Sequence, residues 1–112
     1  MLTMYAIANC DTVKKARKHL DSQKTPYHFY DFKKTPPTKE LLKIWSEFLN
    51  ELPVNKKGTT YKKYKDQFDT LPEKDKILFL VEQSSMIKRP IMMKDTKVLA
   101  IGYEEEIYNK LK

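Results

Sequence analysis

The chain has 112 residues, of which 40% are hydrophobic and 33% charged, with a formal net charge of +7. That length bounds it to one domain, residues 1–112, with one core of ordinary size, and its two glycines exclude Gly-rich phosphate loops. A single cysteine excludes an internal disulfide, the two-cysteine, two-histidine spacing of structural zinc is absent, and no apolar run nears the roughly 20 residues of a membrane helix, so neither metal nor membrane is expected.

Residues 2–8 are apolar with little alternation, the pattern of a buried central strand. The opening ends in a cysteine, as a lipoprotein signal does, but it lacks a basic region and Asn9 is a poor cleavage residue; a cytoplasmic protein is expected. Asn9, Cys10, Asp11 and Thr12 suit a turn or helix cap, and Val13, Ala16 and Leu20 then recur at helical spacing to about Ser22. The aromatic residues of 26–32 predict a second strand, and strand–helix–strand in so short a span predicts a βαβ unit with a parallel pair.

Pro36 and Pro37 stop that pattern, and Thr38 is a candidate N-cap for a helix with Leu41, Leu42, Trp45, Phe48, Leu49 and Leu52 on its apolar stripe. Residues 55–60 read as a basic loop, and Tyr61, Tyr64 and Phe68 predict a short third helix. Thr70-Leu71-Pro72-Glu73 has the form of a capping box that opens a fourth helix through Ile77, Leu78, Leu80 and Val81. Strands return at 91–93 and 97–101 around a turn at 94–96, and a last helix is predicted from about Tyr103. The whole reads as a mixed α/β domain with a helical insertion at about 36–84.

Cys10 sits where a strand gives way to a helix, and unpaired N–H groups at a helix start stabilise a thiolate. Lys14, one turn on, adds positive charge. The alternative is a small hydrophobe packed in the core, against which the polar neighbours Asn9, Asp11 and Thr12 argue. Arg89 precedes Pro90 at a strand entry; it is either an oxyanion fork or an ordinary surface arginine, and the proline bond either cis or trans. The loop around Lys57 has the donors and charge of an anion site, or is a plain surface connection. His19, on the polar side of its helix, and His28, in a strand, are not expected to be catalytic. The basic residues are spread along the chain with no nucleic-acid motif, so they read as a solvated surface and nucleic acid is not expected as a direct ligand.

Together, Tyr-x-Ile-x-Asn-Cys-Asp-Thr-Val-Lys-Lys-Ala at 5–16, Lys-Gly-Thr-Thr-Tyr-Lys-Lys at 57–63, Ile-Lys-Arg-Pro at 87–90 and Gly-Tyr at 102–103 resemble the arsenate reductase/Spx family, and within it the single-cysteine, YffB-like branch. The resemblance implies a thioredoxin-like fold, a four-stranded mixed sheet with a helical insertion after the second strand. It implies that Cys10 is the nucleophile, Arg89 binds an anion beside it, and Pro90 is a cis-proline by the thiol, whereas Lys57 stands in the basic loop instead of a plain arginine match. It further implies a thiol reductase with no bound cofactor, glutathione as co-substrate, and glutathione or glutaredoxin as the external resolving thiol. The arginines that cradle arsenate elsewhere in the family are mostly missing, which makes efficient arsenate reduction unexpected. The Spx branch implies an alternative: a regulator that binds RNA polymerase, here without the Cys-x-x-Cys switch, since Val13 stands where the second cysteine would be.

Overall fold

The computed structural model describes residues 1–111. In chain order it forms β1 (Leu2–Ala6), α1 (Asp11–Ser22), β2 (His28–Asp31), α2 (Lys39–Leu49), α3 (Thr59–Asp69), α4 (Glu73–Glu82), a 3-10 turn (Ser84–Met86), β3 (Ile91–Lys94), β4 (Lys97–Ile101) and α5 (Glu105–Asn109). These group into two compact units: Met1–Thr35 together with the chain from Arg89 onward, and Pro36–Lys88.

The first unit is built on a four-stranded mixed sheet in the order β2-β1-β3-β4. β1 pairs parallel with β2 and antiparallel with β3, and β3 pairs antiparallel with β4. This is the expected thioredoxin-like α/β sheet. Met4 and Ala6 of β1 share one face with Val13, Ala16 and Leu20 of α1, Met92, Ala100 and Tyr108, and these form the core. The i, i+3, i+7 spacing on α1 is what turns those three side chains to one side. Burial of each large aliphatic residue stabilises the fold by about 1.5–3 kcal/mol.

β1 ends at Ala6 rather than at residue 8 as expected. Ala8 and Asn9 are exposed, and the Cys10 N–H closes a tight turn onto the Ala8 carbonyl at 3.0 Å, which takes the backbone out of the ladder. β2 likewise starts two residues late, beyond Pro26, which has no N–H to give to a ladder. The β3–β4 hairpin is a two-residue connection across Lys94 and Lys97, with Asp95 in the left-handed region at φ 55°. A bulge follows, since Met92 opposes Ala100 while Met93 opposes Val98.

Tyr108 is fully buried, and its hydroxyl has no hydrogen-bond partner among the described residues. Burial, with the neighbouring Tyr103 phenol adding to it, pushes the Tyr108 hydroxyl well above the ordinary tyrosine range. A buried hydroxyl without a partner costs about 1–3 kcal/mol. Tyr108→Phe is therefore expected to raise stability by about 1 kcal/mol, measured by denaturant unfolding. The sign of the pH effect follows: above about pH 10 the unfolded chain ionises this tyrosine and the folded chain does not, so stability falls with rising pH. The Phe variant loses that part of the decline.

In the second unit, α2 opens as expected on Thr38, whose hydroxyl accepts from the Leu41 N–H at 3.2 Å. Leu42 and Trp45 are fully buried, but Phe48 is 49% exposed, so the apolar stripe read from sequence is wider than the face this helix buries. α3 starts after Gly58 and buries Tyr61 and Phe68, with Phe79 of α4 set edge-on to Tyr64 and Phe68. The capping box expected at Thr70 does not form. α4 follows α3 after three residues, Pro72 precedes its first turn, no side chain caps it, and the Thr70 hydroxyl instead donates to the Gln67 carbonyl at 2.9 Å to close α3. Thr38→Ala is accordingly expected to cost about 1 kcal/mol in thermal or chemical unfolding. Thr70→Ala is expected to stay within about 0.5 kcal/mol.

Candidate active site

Cys10 is the N-cap residue of α1, in extended conformation at φ −148° and ψ 127°. Its carbonyl accepts the first helical hydrogen bond, from the Lys14 N–H at 2.9 Å. The half-buried thiol is a free cysteine. Its sulfur makes no close cap hydrogen bond, but it lies where an anion is favoured by the N–H groups of Val13 and Thr12 and by the Arg89 side chain, through both a hydrogen bond and charge. The largest single influence on the thiol is partial burial, which pushes its pKa up. The Val13 N–H, then Arg89, then the Thr12 N–H together outweigh it, and the thiol is held below its ordinary value. Part of this comes from the unpaired donors that every helix start carries.

Arg89 reaches the site through strand register. Tyr5 opposes Ile91 in the antiparallel β1–β3 ladder, so the residues just before β3 lie beside the end of β1 that leads into Cys10. The Arg89–Pro90 peptide is cis. Pro90 is buried, and its carbonyl accepts the Gly102 N–H at 2.8 Å. Gly102 takes φ +91°, where a side chain is strained, so a glycine belongs at this position. The sequence marks Gly102 only as part of a motif, and its bond to Pro90 closes the open end of the β3–β4 hairpin.

The structure thus brings Cys10, Arg89 and Pro90 to one place. Lys14 is exposed, and its link to Cys10 is the backbone hydrogen bond just described. Lys57 belongs to the Pro36–Lys88 unit, where it is exposed in the turn that precedes α3. The chain's one other arginine, Arg17, is engaged with aromatic side chains: its Nε donates to the Tyr27 hydroxyl at 3.0 Å and its guanidinium lies 4.1 Å from the centre of the Phe29 ring. Among the described residues no group of three or more His, Cys, Asp or Glu is placed to hold a metal ion.

The sequence marks His19 only as a polar-face residue of α1. Its Nδ1 is 2.7 Å from the Tyr103 hydroxyl, and its Nε2 lies 2.9 Å from Asn109 Oδ1 and 3.1 Å from Gln23 Oε1. The Gln23 amide nitrogen donates to the Tyr108 carbonyl at 3.0 Å, so its oxygen faces the ring and Nε2 carries the proton. This network fastens α1 to the segment around α5. His28 is exposed on β2.

Fold and site define a thioredoxin-like α/β protein with a helix-capped, arginine-supported thiol. The model of the ArsC family matches residues 5–111, and the chain belongs to that family. An uncharacterized protein of Haemophilus influenzae is 34% identical over 110 residues, 96% of each chain. A solved YffB protein superposes with a TM-score of 0.85 at 32% identity, over 97% of this chain and 96% of its own. The global transcriptional regulator Spx of Staphylococcus aureus is 26% identical over 110 residues, which is 95% of this chain and 82% of the regulator. The single cysteine, with the likeness to the solved YffB protein, fits the YffB-like branch.

Proposed function

We propose that the protein is a cytoplasmic monothiol reductase that works through Cys10 and depends on an external thiol, glutathione or glutaredoxin. The observation that carries this reading is the Cys10 thiol at the start of α1, lowered by the Val13 N–H and by Arg89. The thiolate attacks the glutathione sulfur of a glutathione mixed disulfide. A Cys10–sulfur bond forms, the old disulfide bond breaks, and the other sulfur leaves as a thiolate that takes a proton from water. A glutathione thiolate then attacks the sulfur attached to Cys10, releases oxidised glutathione and restores the Cys10 thiolate. Two electrons pass from the external thiols to the substrate, and no second cysteine is needed.

Arg89 assists in both directions, because a stabilised thiolate is also the better leaving group when the mixed disulfide is resolved. Arsenate is a poor candidate substrate. Its oxyanion suits several bidentate forks, and with Arg17 held by Tyr27 and Phe29 the chain has one arginine at the thiol. The test is turnover of a glutathione mixed disulfide, with the Cys10-bound intermediate trapped and weighed. Turnover with a glutathionylated Cys10 supports the proposal, and its absence with every small disulfide removes it. The same assay on Lys57→Ala tests whether the charge of the basic loop contributes to anion binding.

A second reading, a regulator that binds RNA polymerase, is favoured by the likeness to the global transcriptional regulator Spx. It requires partner binding that Cys10→Ser leaves intact, because the single cysteine cannot form an internal disulfide switch.

A further inference from the structure

The run Ile77-Leu78-Phe79-Leu80-Val81 puts five apolar residues in succession on α4, more than one face of a helix can turn inward. Phe79 and Leu80 supply the inward face: Leu80 is fully buried and Phe79 packs edge-on against Tyr64 and Phe68. The other side is left over. Leu78 is 45% exposed, and with Ile77 it lines a groove of about 440 Å³ where α4 meets α2. The remaining lining residues are Lys39 and Lys43, one turn apart on α2, and Glu73 and Lys74 on α4. All four are exposed, so the groove has an aliphatic floor and a rim of three lysines against one glutamate.

We infer that this groove is a docking site for an acidic, amphipathic segment of a partner protein. Such a segment sets one or two aliphatic or aromatic anchors over Ile77 and Leu78, and flanking carboxylates face Lys39, Lys43 and Lys74. Charge complementarity selects the partner. Positive charge alone would suit a nucleic acid equally well, but single-stranded nucleic acid is held by aromatic platforms on which bases stack. This floor is aliphatic. The volume accommodates a pair of anchor side chains, which is how a helix usually engages a groove, at i and i+4.

The probe is a fluorescent helical peptide with leucines at i, i+3 and i+4 flanked by glutamates, its binding followed by polarisation at low and moderate salt. A scrambled peptide of the same composition and charge is the control. Saturable binding is expected, at least tenfold tighter than for the scrambled peptide. Lys43→Glu combined with Lys74→Glu is expected to weaken it at least tenfold, and Leu78→Ser several-fold. All three substitutions are at exposed positions, and each variant's thermal unfolding checks that it folds. Equal binding of the scrambled peptide, indifference to these substitutions, or equal competition by an oligonucleotide of matched charge overturns the assignment, as does failure to bind.

Discussion

Cys10→Ser is expected to abolish thiol transfer, a loss of at least about 10³-fold, the scale on which removal of a covalent nucleophile is felt. Serine is nearly isosteric with cysteine and caps a helix at least as well, so the fold is retained and α1 keeps its start. What is lost is the anion. A serine hydroxyl in the same field of N–H groups stays protonated, whereas Val13, Arg89 and Thr12 hold the thiol below its ordinary value and so raise its thiolate fraction. The assay is single-turnover reduction of a glutathione mixed disulfide, with circular dichroism as the check on folding. Retained activity would remove Cys10 from the mechanism.

The second large effect is expected at Arg89. Its side chain supports the Cys10 sulfur by a charge-assisted hydrogen bond as well as by proximity of charge. Hydrogen bonds to charged groups contribute about 1.5–3 kcal/mol when shielded, and less at a half-exposed sulfur. Arg89→Ala should therefore raise the thiol's pKa and slow its alkylation at pH 7 by several-fold to about tenfold. Arg89→Lys should recover part of the rate, since it restores charge without the planar fork. Rates measured across pH separate the two contributions to the rate: a loss confined to neutral pH reports the thiolate fraction. A loss that persists where the thiol is fully ionised reports positioning of the reagent.

The same linkage acts on stability. Because the folded chain holds the Cys10 thiol below the unfolded value, it gains stability where the unfolded thiol is ionised, above about pH 8.5. That gain is lost as pH falls through the folded value.

Local chemistry made much of this legible in the sequence. An apolar run that breaks at Asn9 and Cys10, followed by a 3.6-residue stripe through Val13, Ala16 and Leu20, describes the strand–helix junction that carries the thiol. Thr38 caps its helix as read, its hydroxyl accepting the Leu41 N–H. Thr70 does not cap α4, because its hydroxyl donates to the Gln67 carbonyl and closes α3 instead. A capping-box pattern carries no information about the helix before it. The exposed Phe48 and Leu78 show a related limit: periodicity marks a side as apolar but not whether the chain covers it.

Long-range pairing was the least legible layer. That Arg89 meets Cys10 follows from the antiparallel register of β1 and β3, which no local pattern encodes; the sequence reached Arg89 through family resemblance. The His19 network with Tyr103 and Asn109 lay out of reach for the same reason, since it joins α1 to residues more than 80 positions away.

The central claim is that Cys10 is a thiol primed by its place in the fold. Its most direct test is titration of the single cysteine in the intact protein, by thiolate absorbance across pH. A midpoint clearly below the free-thiol value of about 8.5 is the result expected from the Val13 N–H and Arg89. A midpoint at or above that value would contradict the claim and leave a thioredoxin-like fold whose cysteine is not its working group.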